Sequence, residues 1–158
     1  MTDISIAVQA GGFDPGAEYT LLRQGNTSDG ATAMFVGNVR DFSPTAATPG
    51  SAVETLELEH YPGMAESALE GIAREASQRW PLGRVRVIHR YGRLAAGDEI
   101  VFVGATSAHR RAALDACAFI MDFLKSRAPF WKKELVASDS AGQWVEAKKS
   151  DEAALQKW

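Results

Sequence analysis

The sequence of 158 residues contains only one cysteine, Cys117, and has no excess of positive charge. One cysteine cannot build a disulfide framework or a cysteine-based metal site, which is typical of proteins in a reducing compartment. The net charge of −3 argues against general nucleic-acid binding, which normally needs a basic excess. No apolar run approaches the ~20 residues of a membrane span, and no signal peptide opens the chain. We therefore expect a cytoplasmic protein.

Hydrophobic residues make up 46% of the sequence. A chain of this length buries roughly 68 to 70% of its unfolded surface, so we expect a single domain over residues 1–158 that needs no metal or disulfide for stability. Strand and helix patterns interleave along the chain, and short turns between neighbouring strands predict mostly antiparallel pairing. The predicted fold class is therefore α+β.

Alternating or apolar runs predict the strands, and amphipathic runs bounded by capping residues or proline predict the helices. Strands are predicted at residues 4–8 (an edge strand), 31–39 (a buried strand), 53–60, 85–90, 99–106, 130–135 and 143–147, with a hairpin through 92–98 and a turn at 140–142. Helices are predicted from Asp14 to about Gly25, over 64–80 and 108–127, and from Ser150 onward. Residues 41–52 predict a mobile surface loop, either a plain connector or a lid beside Arg40.

The helix predicted over residues 108–127, with Ser107 as its N-cap, begins with three cations: His109, Arg110 and Arg111. Cations there oppose the partial positive charge of the free N–H groups, at a cost of roughly 0.3 to 1 kcal/mol each when exposed. A bound anion reverses the sign of that interaction, so the pattern predicts a phosphate site. A solvated basic turn explains the spacing equally well.

The other end of this helix carries Lys125. Four residues share one sector at 100° per residue: Leu114, Ala118, Met121 and Lys125. A lysine on an apolar, core-facing stripe either extends to a nearby surface or lines a cleft, where partial desolvation frees its amine for chemistry. Pro129 ends the helix, and we expect Lys125 and Lys132 to converge across the resulting bend.

His109 and Lys125 are sixteen residues apart, or roughly 24 Å along a helix. One small ligand cannot touch both in a single copy. We therefore expect a homodimer in which basic residues of one subunit complete the pocket that holds the lysines of the other.

Other reactive residue types have ordinary explanations. Cys117 lies mid-helix between alanines, without the exposed, electropositive setting that activates a thiol, and predicts core packing. His60 and His89 have no partners at metal-ligand spacing, so no metal site is expected. Glu57 and Glu59 share the solvent side of an alternating strand.

Four blocks of sequence closely resemble the catalytic, large subunit of the molybdopterin synthase family, the MoaE family. They are LEHYPGM at 58–64, RWPLGRVRVIHRYG at 79–92, GDEIVFVGATSAHR at 97–110 and FIMDFLKSRAPFWKKE at 119–134. Their length and order make the likeness more specific than any short motif. It spans nearly the whole chain and is weakest over residues 41–52 and the last stretch.

The resemblance implies an α/β hammerhead-type fold, a homodimer of large subunits, and a small ubiquitin-like sulfur-carrier subunit at each end, forming a heterotetramer. The implied enzyme is a sulfurtransferase of molybdenum cofactor biosynthesis whose substrate is cyclic pyranopterin monophosphate. Two sulfurs pass in succession from the carrier's C-terminal glycine thiocarboxylate to form the molybdopterin dithiolene. No cofactor is implied, because the sulfur arrives on the partner.

By position, the resemblance implies that Lys125 and Lys132 are catalytic. The implied substrate-binding residues are Asn38, Val39, Arg40, His109, Arg110, Lys125, Lys132, Lys133 and Glu134. Asn38 stands where the family can have lysine, and Lys148 where it can have arginine, so their contacts are expected to differ. An alternative function is a non-catalytic module that binds a phosphorylated ligand or an acidic partner tail. A hydrolase acting alone lacks a nucleophile–base pair.

Overall fold

The computed structural model describes residues 1–40, 53–136, 139–145 and 149–158, and the side chains of 1–40, 56–130 and 151–158. The predicted loop at 41–52 and Lys148 lie outside the described residues. The strands are β1 (Asp3–Gln9), β2 (Ala31–Asn38), β3 (Val53–His60), β4 (Leu82–Arg90), β5 (Gly92–Ala95), β6 (Glu99–Ser107), β7 (Phe130–Val136) and β8 (Asp139–Val145). The helices are α1 (Pro15–Arg23), α2 (Met64–Arg79), α3 (Arg110–Arg127) and α4 (Lys149–Ala154), which is followed by a 3-10 turn at Leu155–Lys157.

The first sheet has the order β1-β4-β6-β2 and carries helices on both faces. β1 runs parallel to β4, and the other two pairs are antiparallel. Side chains alternate along β4, so Val87 packs with α2 and α3, whereas Ile88 packs with Leu22 of α1. The main core therefore lies between this sheet and the α2–α3 pair.

The second sheet has the order β5-β3-β7-β8, with all pairs antiparallel. A small apolar cluster of Val39, Leu56, Leu58 and Leu94 lies against it. The predicted α+β class with mostly antiparallel sheets is confirmed, and the β1–β4 pair is the parallel exception. None of the helices in the described parts of the chain is long and apolar enough to cross a membrane.

Two predicted strands differ from the structure. β2 lies at the edge of its sheet instead of being buried, and Met34 and Phe35 are 45% and 40% exposed. The predicted turn at 140–142 is wrong, because these residues belong to β8. The hairpin of β4 and β6 forms as predicted, but its connection contains β5, which pairs with β3 in the second sheet.

α3 begins two residues later than predicted. Ser107 is the last residue of β6, not the N-cap, and its buried hydroxyl donates a hydrogen bond to the Pro81 carbonyl oxygen at 2.6 Å. The hydroxyl is thus already engaged when the strand ends. His109 takes the N-cap position with extended backbone (φ −128°, ψ 149°), and Arg110 is the first helical residue.

Candidate functional site

The start of α3 presents basic side chains to solvent. His109, Arg110 and Arg111 are exposed, the first turn has no acidic residue, and the His109 side chain makes no capping hydrogen bond. Arg111 lies 3.8 Å from Asp115 in an exposed pair, which is worth little. The first turn of α3 therefore combines free backbone N–H groups with exposed basic side chains and no carboxylate, a combination suited to binding an anion.

The segment after β2 is anchored by Val39. Its N–H donates to the Asp98 carbonyl oxygen at 2.8 Å, and its own carbonyl oxygen accepts from the Gly97 N–H at 2.7 Å. Its side chain is buried in the apolar cluster, while Asn38 and Arg40 on either side are exposed. The buried valine thus fixes the point at which Asn38 and Arg40 meet solvent.

The predicted core-facing stripe of α3 is wrong. Leu114 is 53% exposed and Lys125 is also exposed, whereas Met121 is buried at the margin. The face that packs against the core is formed by Ala113, Ala116, Cys117, Phe119, Ile120, Met121, Phe123 and Leu124. The four-residue stripe lies at the edge of that face, with Met121 inside the core and Lys125 exposed to solvent in a single chain.

A stack of rings fixes the bend after α3. The Phe130 ring lies on His89, with centroids 3.7 Å apart and planes 16° apart, and 6.2 Å from His60 on a plane tilted by 21°. His60 in turn stacks on Tyr91 at 4.0 Å. His89 is buried, and its Nδ1 lies 2.8 Å from the Arg90 carbonyl oxygen. β7 therefore starts at a position set by β3, β4 and the entry to β5.

Beyond Phe130 the backbone pairing of β7 is described, but its side chains are not. Lys132, Lys133 and Glu134 lie opposite Leu58, Glu57 and Leu56 of β3. The convergence of Lys125 and Lys132 across the bend remains a prediction.

The topology separates the expected site residues into two groups. Ala31 pairs with Ser107 at one end of the β2–β6 pair, and Asn38 pairs with Glu99 at the other. The eight steps of β6 between them span about 26 Å. We call the first the helix-start end (His109, Arg110, Arg111) and the second the bend end (Arg40, Lys125, Phe130). Arg40 therefore does not reinforce the cations of α3 within one chain.

Lys125 belongs to the bend end because α3 reverses the direction of β6 and returns along the sheet. Phe130, just beyond the helix, stacks on His89, whose cross-strand neighbour Val101 is two residues from the start of β6. An anion held at the helix-start end of one chain cannot reach Lys125 of the same chain.

Cys117 is confirmed as a core residue. It is 7% exposed, its Sγ lies 3.7 Å from the Val103 carbonyl oxygen, and burial raises the pKa of the thiol to about 11. A thiol that stays protonated at neutral pH is a poor nucleophile. Within the described residues no group of three His, Cys, Asp or Glu side chains is placed to hold a metal ion.

The family comparison agrees with this architecture. A family model described as "MoaE protein" matches residues 8–127. The chain belongs to the MoaE family. A relative named "Molybdopterin synthase catalytic subunit" from Pseudomonas aeruginosa is 54% identical over 155 residues, covering 98% of this chain and 99% of the relative.

Solved MoaE-type structures share the fold. The "Molybdopterin biosynthesis MoaE protein" of Burkholderia ambifaria superposes with a TM-score of 0.81 at 46% identity, covering 98% of this chain and 97% of that one. "Molybdopterin Synthase" from Staphylococcus aureus superposes with a TM-score of 0.75 at 29% identity, covering 89% and 96%. The resemblance seen in the sequence is thereby confirmed.

Sequence reasoning missed the residues that support both ends. The ring stack at the bend end joins residues far apart in sequence, and neither histidine was expected to matter. At the helix-start end, a polar cluster of Asn26, Asp29 and Thr106 was also missed. Its signal in the sequence is an Asn and an Asp in a turn before a strand, which is too common to single out.

Proposed function

We propose that this chain is the catalytic subunit of a molybdopterin synthase. It transfers sulfur from the thiocarboxylated C-terminus of a small ubiquitin-like carrier subunit to cyclic pyranopterin monophosphate, and two transfers form the dithiolene of molybdopterin. Near-complete coverage of relatives named as this subunit supports the proposal. A cytoplasmic location fits the free, buried cysteine.

The observation that carries the proposal for this chain is the exposed cationic start of α3. A cyclic phosphate group there gains backbone N–H donors, His109 and Arg110, in a first turn that holds no competing carboxylate. Arg111 is partly engaged by Asp115 and contributes less. The chemistry of the subsite therefore fits the phosphate of a cyclic pterin.

The working site is composed from two copies of the chain. The helix-start end and the bend end lie about 26 Å apart along β6, too far for one pterin to bridge. In a homodimer, His109 and Arg110 of one subunit face the bend end of the other and hold the substrate's phosphate there. Arg40 and Lys125 of the second subunit then flank the pterin.

At the bend end, Lys125 and Lys132 hold the incoming thiocarboxylate and move protons or stabilise charge during attack on the pterin. Asn38, Lys133 and Glu134 complete the surroundings of the substrate, and Val39 anchors the segment that presents Arg40. In each transfer the sulfur bonds to a pterin carbon, the carrier's acyl carbon–sulfur bond is then cleaved by water, and the carrier leaves with an ordinary carboxylate terminus that contains the water's oxygen. Because the carrier supplies the sulfur, the buried Cys117 thiol takes no part.

The test is reconstitution with a thiocarboxylated carrier and cyclic pyranopterin monophosphate, followed by detection of the dithiolene product. Wild type should form product, and Lys125→Ala should lower kcat by roughly 10²- to 10³-fold with folding intact. Arg74→Ala is the matched control, because Arg74 is also an exposed cation and lies on α2, where its partner is Glu70. Pterin binding without any product from wild type would instead indicate a non-catalytic binding module.

A further inference from the structure

A hydrogen-bonded cluster lies beneath the start of α3, and we call it the Asp29 network (Asn26, Asp29, Thr106). The Asp29 carboxylate oxygen Oδ2 accepts from the Thr106 hydroxyl at 2.8 Å and from the Asn26 amide at 2.9 Å. Thr106 is fully buried near the end of β6, and its hydroxyl oxygen also accepts the Arg84 N–H at 2.8 Å. One carboxylate thus ties the loop before β2 to two neighbouring strands.

The Asp29 network is connected to the helix-start end through one backbone hydrogen bond. The residue after Asp29 is Gly30, whose N–H donates to the Ala108 carbonyl oxygen at 3.2 Å. Ala108 is the single residue between β6 and the N-cap His109. Asp29 is therefore adjacent in the chain to the residue that contacts the turn from strand into helix.

Two glycines show how closely this region is fitted. A Cβ on Gly83 would lie 1.9 Å from the Asp29 Oδ2 and 3.0 Å from the Thr106 hydroxyl, so the carboxylate fills the space left by the missing side chain. A Cβ on Gly30 would lie 2.7 Å from the Ala108 carbonyl oxygen. Both contacts involve the same path from Asp29 to Ala108. A Cβ at Gly83 would have to displace the Asp29 side chain, and a Cβ at Gly30 would have to displace the Ala108 backbone.

We propose that Asn26, Asp29 and Thr106 are positioning residues for the phosphate subsite. Their hydrogen bonds hold Gly30 against Ala108 and so fix the direction in which His109 and Arg110 project from the sheet. They do not touch the substrate. The inference rests on the proposed function, because it assigns the network to the subsite that binds the cyclic pterin's phosphate.

The first test compares Thr106→Val with Thr106→Ser in the reconstituted synthase. Valine keeps the shape of threonine but removes the hydroxyl, so KM for cyclic pyranopterin monophosphate should rise on the order of tenfold while kcat changes little. Serine restores the hydroxyl and should bring KM back toward wild type. The matched control is Thr32→Val, since Thr32 is the cross-strand partner of Thr106, and its KM should not change.

A second route displaces the carboxylate without removing it. Gly83→Ala forces the Asp29 side chain away from Thr106, and should raise KM in the same way as Thr106→Val. Combining the two changes should add little, because both break one path. Gly83→Ala also serves if Thr106→Val fails to fold, because Gly83 is outside the network itself.

The outcomes separate this inference from the proposed function. If wild type forms no dithiolene, the proposed function fails whatever the variants do. If wild type is active but Thr106→Val and Gly83→Ala keep its KM, or Thr106→Ser is as impaired as Thr106→Val, the positioning role is wrong. A lowered kcat at unchanged KM also overturns it, because the defect would then lie at the lysines.

Discussion

The two ends of the β2–β6 pair are held by different kinds of interaction. At the helix-start end, the support is polar: a carboxylate, a hydroxyl and an amide share hydrogen bonds below Ala108. At the bend end, it is a stack of four rings, Tyr91, His60, Phe130 and His89, with Val39 packed in an apolar cluster beside it. Hydrogen bonds fix direction, whereas stacked rings fix spacing and permit sliding within the plane.

This difference matches the task of each end in the proposed reaction. A phosphate needs donors aimed at its oxygens, so the backbone that carries His109 and Arg110 must leave the sheet in one direction. The lysines carry flexible chains that can follow a thiocarboxylate, so the bend needs a fixed position more than a fixed direction. The supports therefore predict binding defects from one end and turnover defects from the other.

The largest effect on KM is expected from a change at the helix-start end. Arg110→Ala removes a charged donor to phosphate and should raise KM for the cyclic pterin by roughly 10- to 100-fold. Arg74→Ala is the matched control, an exposed arginine of α2 whose partner is Glu70, and should leave steady-state KM unchanged.

Mixing Arg110→Ala and Lys125→Ala subunits tests whether the two ends of one site come from different chains. When activity is assayed at a cyclic pterin concentration well below the wild-type KM, the Arg110→Ala and Lys125→Ala homodimers should both be nearly inactive. A mixed dimer contains one intact site if the two ends come from different chains. After subunit exchange at equal amounts, activity should return to about a quarter of wild type, since half the dimers are mixed and each has one of two sites. No recovery after demonstrated exchange would place both residues in one site of one chain.

The next effect concerns the ring stack. Phe130→Ala removes a partly buried ring that contacts His89 and His60, and should cost about 2 to 3 kcal/mol of unfolding free energy in a urea titration. It should also lower kcat more than it raises KM, because Lys132 follows two residues later. Phe130→Tyr keeps the ring and should retain most of both. Equal loss in the two variants would mean that stacking is not what holds the bend.

The sequence indicated candidate residues at both ends but not the contacts that support them. His109, Arg110 and Lys125 were predicted as site residues from unfavourable charge placement and from position, which are local signals. Asp29 and Phe130 act through partners about 40 to 80 positions away, and those contacts exist only once the sheets have formed. The stripe containing Lys125 was misplaced because the four residues share a sector of α3 that lies at the edge of the core, so Met121 is buried while Leu114 and Lys125 are exposed.

The middle of α3 should be chemically inert, in contrast with both ends. Burial raises the pKa of Cys117 to about 11, from an ordinary 9.0, so the folded state keeps the proton that the unfolded chain loses. This stabilisation is complete below pH 9 and is lost as pH rises from 9 to 11, with a total of at most about 3 kcal/mol. Unfolding titrations from pH 8 to 11 should show the decline, and Cys117→Ala should flatten it. Rapid thiol labelling of the native protein at pH 8 would contradict this.

The smallest effect is expected at Arg111, the neighbour of Arg110. Removing its charge relieves repulsion with the free N–H groups of α3 but also breaks the exposed pair with Asp115, and these terms are each only a few tenths of a kcal/mol. Arg111→Ala should therefore change unfolding free energy by less than about 0.5 kcal/mol and KM by less than about threefold. Arg110 and Arg111 are neighbours on the same exposed turn. A larger increase in KM for Arg110→Ala than for Arg111→Ala would therefore indicate a directed phosphate contact and not general electrostatic attraction. Equal increases in KM for the two variants would show that the helix-start end attracts the substrate only through its overall positive charge. The direction in which Asp29 makes His109 and Arg110 project would then be irrelevant to binding.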